Sequence, residues 1–327
     1  MKKILITGAA GTIGFSLIEQ LVPLHMYEIT ALDIKSNKAI HRLKKYQKDI
    51  NVIYGDITDE SLVNALITGH DVVIHLCGIL PPLADIKEKI CYDIDLEGTQ
   101  NIINAINDIN PKCYLLYASS TTVYGNRTIY ENIKSVDRIK EEDLGNYSLV
   151  KLKCESLIKK KLKNYVIFRL SAVLGDIKSD APMYHIPLET RVEFISNCDA
   201  ARAFIKAIEK KAKINQKIFN ITGGDPWRTT FKSFLITVLK IYGISIRFLG
   251  SWFLLDKNFY SGFYADSNEA EKILNFRSDS LDNYYLKLKE TNKIKRLFPR
   301  LMAKPFIMII KKHRKSKEKN PWVEHMK

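Results

Sequence analysis

The run Gly8-Ala9-Ala10-Gly11-Thr12-Ile13-Gly14 follows directly on the apolar stretch Lys3-Ile4-Leu5-Ile6-Thr7. A short buried strand that breaks into glycines and then into an apolar-periodic segment (Ile13, Leu17, Ile18, Leu21) predicts strand, tight turn and helix. Free backbone N–H groups at the start of such a helix, over Gly11, Thr12, Ile13 and Gly14, suit a pyrophosphate. Glycine is required there because a side chain would block the phosphates or force a disallowed φ. A second strand, Glu28 to Leu32, ends on Asp33. A carboxylate about 20 residues past the turn is placed to accept from a ribose diol, and it would repel a 2′-phosphate. The pattern therefore predicts a dinucleotide site that takes NAD(H) over NADP(H).

Strands continue at Val52–Asp56, Asp71–Leu76, Cys113–Ala118 and Tyr165–Leu170, with helices at Asp93–Ile109 and Asn146–Lys161 between them. Alternation of buried strands with helices predicts an α/β fold built on a doubly wound parallel sheet. Ligands of such sheets bind beyond the carboxyl ends of the strands. The pattern loosens after Gly175: a loop from Asp176 to Glu193, a helix Asp199–Lys211, a strand Lys217–Ile221, a turn at Gly223-Gly224-Asp225-Pro226 and a helix Thr229–Ile241. Ser251 to Phe276 reads as aromatics mixed with loop residues. The expected organisation is a dinucleotide-binding domain over 1–175, rejoined by 195–222, with a small substrate-binding cap from 176–194 and 223–290.

At 327 residues and 46% hydrophobic content the chain can bury a large core. Five scattered cysteines with no C-x-x-C pattern read as core residues of a reduced, cytoplasmic protein, and no metal site is expected. Met1-Lys2-Lys3 leads straight into the first strand, which leaves no room there for a signal peptide, and no apolar run is long enough to span a membrane. The net charge of +15 is concentrated: residues 292–327 carry twelve Lys or Arg against two Glu. That basic amphipathic tail is suited to peripheral contact with an anionic inner membrane face; no nucleic-acid recognition fold accompanies it.

Candidate chemistry lies in two places. Ser119-Ser120-Thr121-Thr122 follows the fifth strand, where the Ser120 hydroxyl can orient a substrate oxygen. Downstream, Tyr147 and Lys151 share a helix face at i and i+4. A neighbouring ammonium favours phenolate, so Tyr147 is expected to have a lowered pKa and to serve as acid/base while hydride moves to or from a nicotinamide. Arg169 and Arg191 are candidates for a phosphate or carboxylate, Arg202 reads as a surface ion-pair partner, and Trp227 with Arg228 reads as a substrate clamp or as ordinary packing.

Together with Gly55-Asp56-Ile57-Thr58-Asp59, His75-Leu76-Cys77-Gly78, Gly98-Thr99 and Phe219-Asn220-Ile221-Thr222-Gly223-Gly224, these motifs make the chain resemble an extended short-chain dehydrogenase/reductase. The resemblance, to the NAD-dependent epimerase/dehydratase type, covers residues 1 to about 280. It implies a Rossmann-like fold, Asp56 and Ile57 flanking the adenine, and Leu76, Cys77 and Gly78 lining the pyrophosphate and ribose. It further implies Lys151 on the nicotinamide ribose, Tyr147 as acid/base, Ser120 as substrate-orienting hydroxyl, and a homodimer.

The departures matter as well. Ser120-Thr121-Thr122 replaces the Thr-Asp-Glu of 4,6-dehydratases, which disfavours dehydration. Ala172 replaces a substrate-contacting Asn, the Gly175–Phe194 region is short, and Asp95 stands where the family often has Asn. The reading is an epimerase of a sugar derivative, with a simple dehydrogenase or reductase of a non-nucleotide carbonyl as the alternative. A non-catalytic dinucleotide sensor is the rival from another class, which the presence of Ser120, Tyr147 and Lys151 opposes.

Overall fold

A computed structural model describes residues 1–81, 83–125, 127, 132–175, 188–242 and 262–291. In chain order the first half comprises β1 (Lys2–Thr7), α1 (Thr12–Leu21), β2 (Tyr27–Asp33), α2 (Asn37–Leu43), β3 (Asn51–Tyr54), α3 (Glu60–Thr68), β4 (Val72–His75), α4 (Leu83–Ile86), α5 (Glu88–Cys91), a π-helical turn (Tyr92–Glu97), α6 (Gly98–Asp108) and β5 (Tyr114–Ser120). There follow β6 (Asn132–Ile133), α7 (Asn146–Lys161), β7 (Tyr165–Leu170), β8 (Ala172–Leu174), β9 (Arg191–Ser196), α8 (Asn197–Glu209), α9 (Lys211–Ile214) and β10 (Lys217–Ile221). The last are β11 (Arg228–Thr230), α10 (Phe231–Ile241), β12 (Phe263–Tyr264), α11 (Ser267–Leu274) and α12 (Leu281–Thr291).

Seven parallel strands form the central sheet in the order β10-β7-β5-β4-β1-β2-β3. Because strand side chains alternate, neighbours in sequence enter different cores. Ile4, Ile6, Val72, Ile74, Leu116, Val166 and Phe168 meet Leu17, Ile18 and Phe204 of α1 and α8 on one face. Leu5, Val73, Leu115, Tyr117 and Ile167 meet Val63, Ile103 and Val150 of α3, α6 and α7 on the other. Each such fully buried side chain contributes about 1.5–3 kcal/mol against exposure. The sheet is therefore doubly wound, and strand order reverses between β1 and β4, where a crevice opens at the carboxyl ends. A separate core of Val192, Phe194, Trp227, Phe231, Phe234 and Tyr284 holds β9, α10 and α12 together beside that edge.

Helix starts show a division of labour. Asp59, Ser36, Ser196 and Thr230 cap α3, α2, α8 and α10 with side-chain acceptors, each worth about 1 kcal/mol. The two helices that reach the crevice start differently: α1 and α7 begin behind Gly11 and Gly145, with no side-chain cap.

Three segments differ from the sequence reading. The helix expected from Asp93 starts as a π-helical turn, Tyr92–Glu97, and becomes α-helical only at Gly98. Arg228–Thr230 is a strand antiparallel to β9, because Arg228 reaches Glu193 on that strand and Thr230 serves as the cap of α10. Within the expected loop from Ser251 to Phe276, β12 and α11 form, drawn in by Asp266. Its carboxylate accepts from Ser135 N at 2.5 Å and Asn220 Nδ2 at 2.8 Å.

Candidate functional site

The glycine turn leaves β1 as a cradle no other residue could line. Gly8 has φ +69°, and a Cβ there would stand 2.9 Å from Cys77 N. A Cβ on Gly14 would stand 2.4 Å from the Gly8 carbonyl oxygen and 2.8 Å from Ala9 Cα. All these obstacles are backbone, so they cannot rotate away. The turn after β1 and the Leu76-Cys77-Gly78 segment after β4 thus touch across the switch point, with the uncapped start of α1 between them. The first N–H groups of a helix have no partner in the helix itself, and α1 has no acidic residue in its first turn. That donor set fits the pyrophosphate of a dinucleotide.

Asp33 ends β2 beside the cradle, its Oδ2 accepting from Ala10 N at 2.8 Å. Burial raises its pKa, against the Ala10 and Ile34 N–H groups and Lys38, which lower it. Arg42, unmentioned by any motif, donates to the Ala10 carbonyl at 3.2 Å and lies 5.3 Å from the Phe15 ring centroid. Asp56 is exposed after β3 and accepts from the N–H and hydroxyl of Thr58, each at 2.9 Å. Ile57 is buried beneath α6, where Gly98 makes the room: a Cβ there would come within 2.6 Å of Ile57 Cγ2. Asn101 braces the same turn from α6, donating to the Ile57 and Thr58 carbonyls at 3.2 and 3.1 Å.

Ser120, Tyr147 and Lys151 meet at the crevice. Ser120 is the last residue of β5, its hydroxyl accepting from Thr122 N at 3.2 Å and Thr122 Oγ1 at 3.0 Å. A hydrogen bond with Ser120 acts on the Tyr147 phenol. Lys151 Nζ lies 5.8 Å from the Tyr147 ring centroid and 5.2 Å from that of Tyr117. Asp85 on the short α4 accepts from Tyr147 N at 3.1 Å, and Asn146 donates to the Ala84 carbonyl at 2.9 Å. Those two bonds seat the uncapped start of α7, and neither was legible in the motif spacing.

The expected lowering of the Tyr147 pKa is corrected by the structure, which raises it. Burial is the largest cause; Lys151 and Ser120 lower it, while Asp95 and Cys91 raise it. Lys151 forms a buried ion pair with Asp95, Nζ to Oδ1 at 3.0 Å. Burial alone would depress the ammonium, but Asp95 first and then Tyr117, Tyr147 and Cys154 hold it well above its ordinary range. Thiolate chemistry is not offered here, since burial pushes the Cys77 and Cys91 thiols up to about 12.

Several other candidates turn out to be scaffold. Arg169 is not open to an anion: its fork grips Glu155 at 2.9 and 2.6 Å and donates to Tyr124 OH and the Ser135 carbonyl, both at 3.0 Å. Arg202 is no mere surface partner, for it binds the fully buried Asp199 at 2.6 Å and the Phe276 carbonyl at 2.7 Å. Arg228 holds Glu193 at 2.9 Å. Trp227 is fully buried and donates to the Asp279 carbonyl at 3.0 Å, so it packs the cap and stacks on no substrate. Arg191 lies 5.5 Å from the Phe263 ring centroid. Thr121, at a position where dehydratases carry an acid, is buried and hydrogen-bonded to Tyr264.

Fold and site together define a doubly wound α/β protein with a dinucleotide cradle and a Ser/Tyr/Lys cluster at its switch point. Residues 5–167 match the model of the 3-beta hydroxysteroid dehydrogenase/isomerase family. The chain is similar to 3 beta-hydroxysteroid dehydrogenase type 7 of Mus musculus, 29% identical over 123 residues, covering 37% of this chain and 33% of that protein. It is also similar to UDP-N-acetyl-alpha-D-glucosaminuronate decarboxylase of Bacillus cytotoxicus, 33% identical over 130 residues, 39% of each. The match thus spans little more than a third of the length of these curated relatives. Among solved structures it shares its fold with Pal from Bacillus thuringiensis, at TM-score 0.72 and 22% identity, covering 89% of this chain and 99% of that one. UDP-glucuronic acid 4-epimerase from Bacillus cereus, solved in complex with NAD, matches at TM-score 0.70 and 22% identity, covering 88% and 99%. The family match and these relatives agree with the resemblance to extended short-chain dehydrogenases/reductases of the NAD-dependent epimerase/dehydratase kind.

Among the described residues no helix is long and apolar enough to cross a membrane. The basic tail, residues 292–327, lies outside the described residues, as do 176–187 and 243–261 of the expected cap.

Proposed function

We propose that the chain is an NAD-dependent oxidoreductase that exchanges hydride at a secondary alcohol/ketone pair, acting as an epimerase of a sugar derivative. The observation that carries the reading is the convergence of Ser120, Tyr147 and Lys151 beside the glycine cradle. Residues 1–175 with 195–222 would hold the cofactor, and 176–194 with 223–290 the substrate. NAD, when bound, would take the hydride from the alcohol carbon and return it. The Gly8–Gly14 turn and the α1 N-terminus would carry the pyrophosphate, with Asp33 on the adenosine ribose, Asp56 and Ile57 at the adenine, and Leu76, Cys77 and Gly78 along the opposite wall. Lys151 would donate to the nicotinamide ribose. Tyr147 would take the hydroxyl proton of the substrate and return it, with Ser120 donating to the same oxygen. Epimerisation then needs only that the keto form of the substrate turn over in the cap before hydride returns to its carbon and the proton to its oxygen.

A second reading, a dehydrogenase or reductase of a non-nucleotide carbonyl, is favoured by one observation. Arg169, one of the two arginines expected to meet a phosphate, grips Glu155 of the chain itself. Mass spectrometry of the small molecules released from purified protein separates the two. Retained NAD that survives dialysis supports the epimerase, whereas an empty protein binding NAD(H) reversibly supports the second reading. Tyr147→Phe tests both at once: turnover should fall about 10²–10⁴-fold with NAD still bound, and full turnover would exclude Tyr147 as the acid/base. Association as a homodimer, and with anionic membranes through the tail, are checked by sedimentation and by liposome flotation with and without residues 291–327; a monomer that stays unbound would dismiss both.

A further inference from the structure

The site contains a buried carboxylate that hydride exchange at an alcohol does not call for. Asp95 lies in the π-helical turn with its side chain fully out of solvent. Its Oδ2 accepts from Ile79 N at 2.7 Å. Its Oδ1 stands 3.0 Å from Lys151 Nζ, in an approach without hydrogen-bond alignment, and takes no hydrogen bond among the described residues. Two features of the backbone make room for it. A Cβ on Gly78 would come within 2.5 Å of Oδ1, and the turn that carries Asp95 is widened from α to π geometry. An amide of the same shape would satisfy Ile79 equally well. What the amide would lack is charge.

Several groups face Lys151 from the elements packed around it. They are Tyr117 of β5, Tyr147 and Cys154 of α7, Cys91 of α5, Cys77 beyond β4, and His75 of β4. The His75 ring is held by Thr7 at 2.7 Å and Thr99 at 3.1 Å, and burial holds it neutral. Burial also raises the surrounding phenols and thiols. Among the described residues Asp95 is the carboxylate paired with Lys151, while Asp85 on α4 meets the backbone N–H of Tyr147.

We propose that Asp95 is a positioning residue for proton transfer: its carboxylate, paired with Lys151, cancels part of the field that the ammonium exerts on the Tyr147 phenol. The proposal rests on Tyr147 being the proton-transfer group named above. A lone ammonium beside a phenol pulls its proton off; an ammonium already neutralised by a carboxylate pulls less. The direction found for Tyr147, raised by burial and by Asp95 against Lys151, agrees. The site therefore keeps the phenol protonated to higher pH, suited to the half of the cycle in which Tyr147 returns a proton to the substrate oxygen.

The test reads Tyr147 directly and needs no substrate. Phenolate absorbance of the full-length protein is titrated with pH, and the Tyr147→Phe trace is subtracted to isolate one phenol. The same subtraction is made in an Asp95→Asn background. The proposal expects the Tyr147 midpoint to fall by about one pH unit or more in Asp95→Asn, a tenfold change in proton affinity. An unmoved or raised midpoint overturns it. Should Asp95→Asn fail to fold, Asp95→Ser makes the same charge change with space for a water beside the ammonium and is read by the same criterion. A lowered midpoint in a protein that never transfers hydride sinks the proposed function, and with it the role in proton transfer, while leaving the electrostatic effect of Asp95 on Tyr147 in place. Turnover with an unmoved midpoint overturns the inference about Asp95 alone and leaves the proposed function standing.

Discussion

Lys151 and Glu155 stand one turn apart on α7, each buried in an ion pair, yet the two pairs are built differently. Glu155 takes both arms of the Arg169 fork and the Ser119 hydroxyl at 2.6 Å, while Arg169 spends its remaining donors on Tyr124 and Ser135. That pair locks β5 and β7 to the helix with four of the five guanidinium N–H groups engaged. Lys151 has a single carboxylate, met in one approach, and the near faces of two phenol rings. A planar fork on a carboxylate is a structural joint, whereas a compact ammonium with donors to spare is a charge kept available. The same helix therefore carries a joint and a working group, and partner geometry tells them apart.

Breaking the joint should have the larger effect on stability. Glu155→Gln would strand the Arg169 guanidinium in the core and cost about 3–5 kcal/mol, read from urea unfolding; a loss under about 1 kcal/mol would show that the pair is not what joins β5 and β7 to α7. Acid sharpens the contrast from the other side. Burial first, and the Lys151 charge second, lower the pKa of His75 to about 3. Its unfolded value near 6.5 lies above that, so the unfolded chain binds a proton that the folded one refuses. Stability from this group is fully present above pH 6.5 and drains away as pH falls toward about 3. The total is on the order of a few kcal/mol, and a His75→Asn variant should give a flatter stability curve in that window. Equal slopes would mean that His75 is not the acid-sensitive group beside Lys151.

The working pair should matter less to the fold. Lys151→Met leaves the Asp95 carboxylate with Ile79 N–H as its donor, so about 1–3 kcal/mol is expected. Turnover should be lost nonetheless, and a stability loss equal to that of Glu155→Gln would erase the distinction. Lys287→Ala gives the smallest effect. Its pair with Asp279 at 3.1 Å leaves the lysine side chain 62% exposed, and an exposed pair contributes about 0–1 kcal/mol. A larger loss would show that exposure does not rank these pairs.

Much of the cofactor side was legible because it is local. The strand-glycine-helix spacing from Lys3 to Leu21, and Asp33 at the end of β2, depend on a few neighbouring residues whose backbone needs are written in their types. The placement of Ser120 at a strand end and Tyr147 and Lys151 on one helix face followed from the same periodicities. The cap was read poorly. Arg228 finds Glu193 on another strand, Trp227 finds the Asp279 carbonyl, and Asp266 gathers Ser135 and Asn220, none of them a neighbour in sequence. The wrong direction for Tyr147 has the same origin. An i, i+4 ammonium is visible in the sequence, whereas the depth of burial and the arrival of Asp95 from another segment are not.

By itself, then, the sequence determined the order of strands and helices around the central sheet, the glycine cradle and the residue types offered to the crevice. These follow from side-chain period and backbone freedom, which act over a few residues. Only the tertiary structure decided which arginines are joints, which aromatic is core, and how tightly Tyr147 holds its proton. Those properties depend on desolvation and on charges a few ångströms apart in space, and neither is carried by distance along the chain.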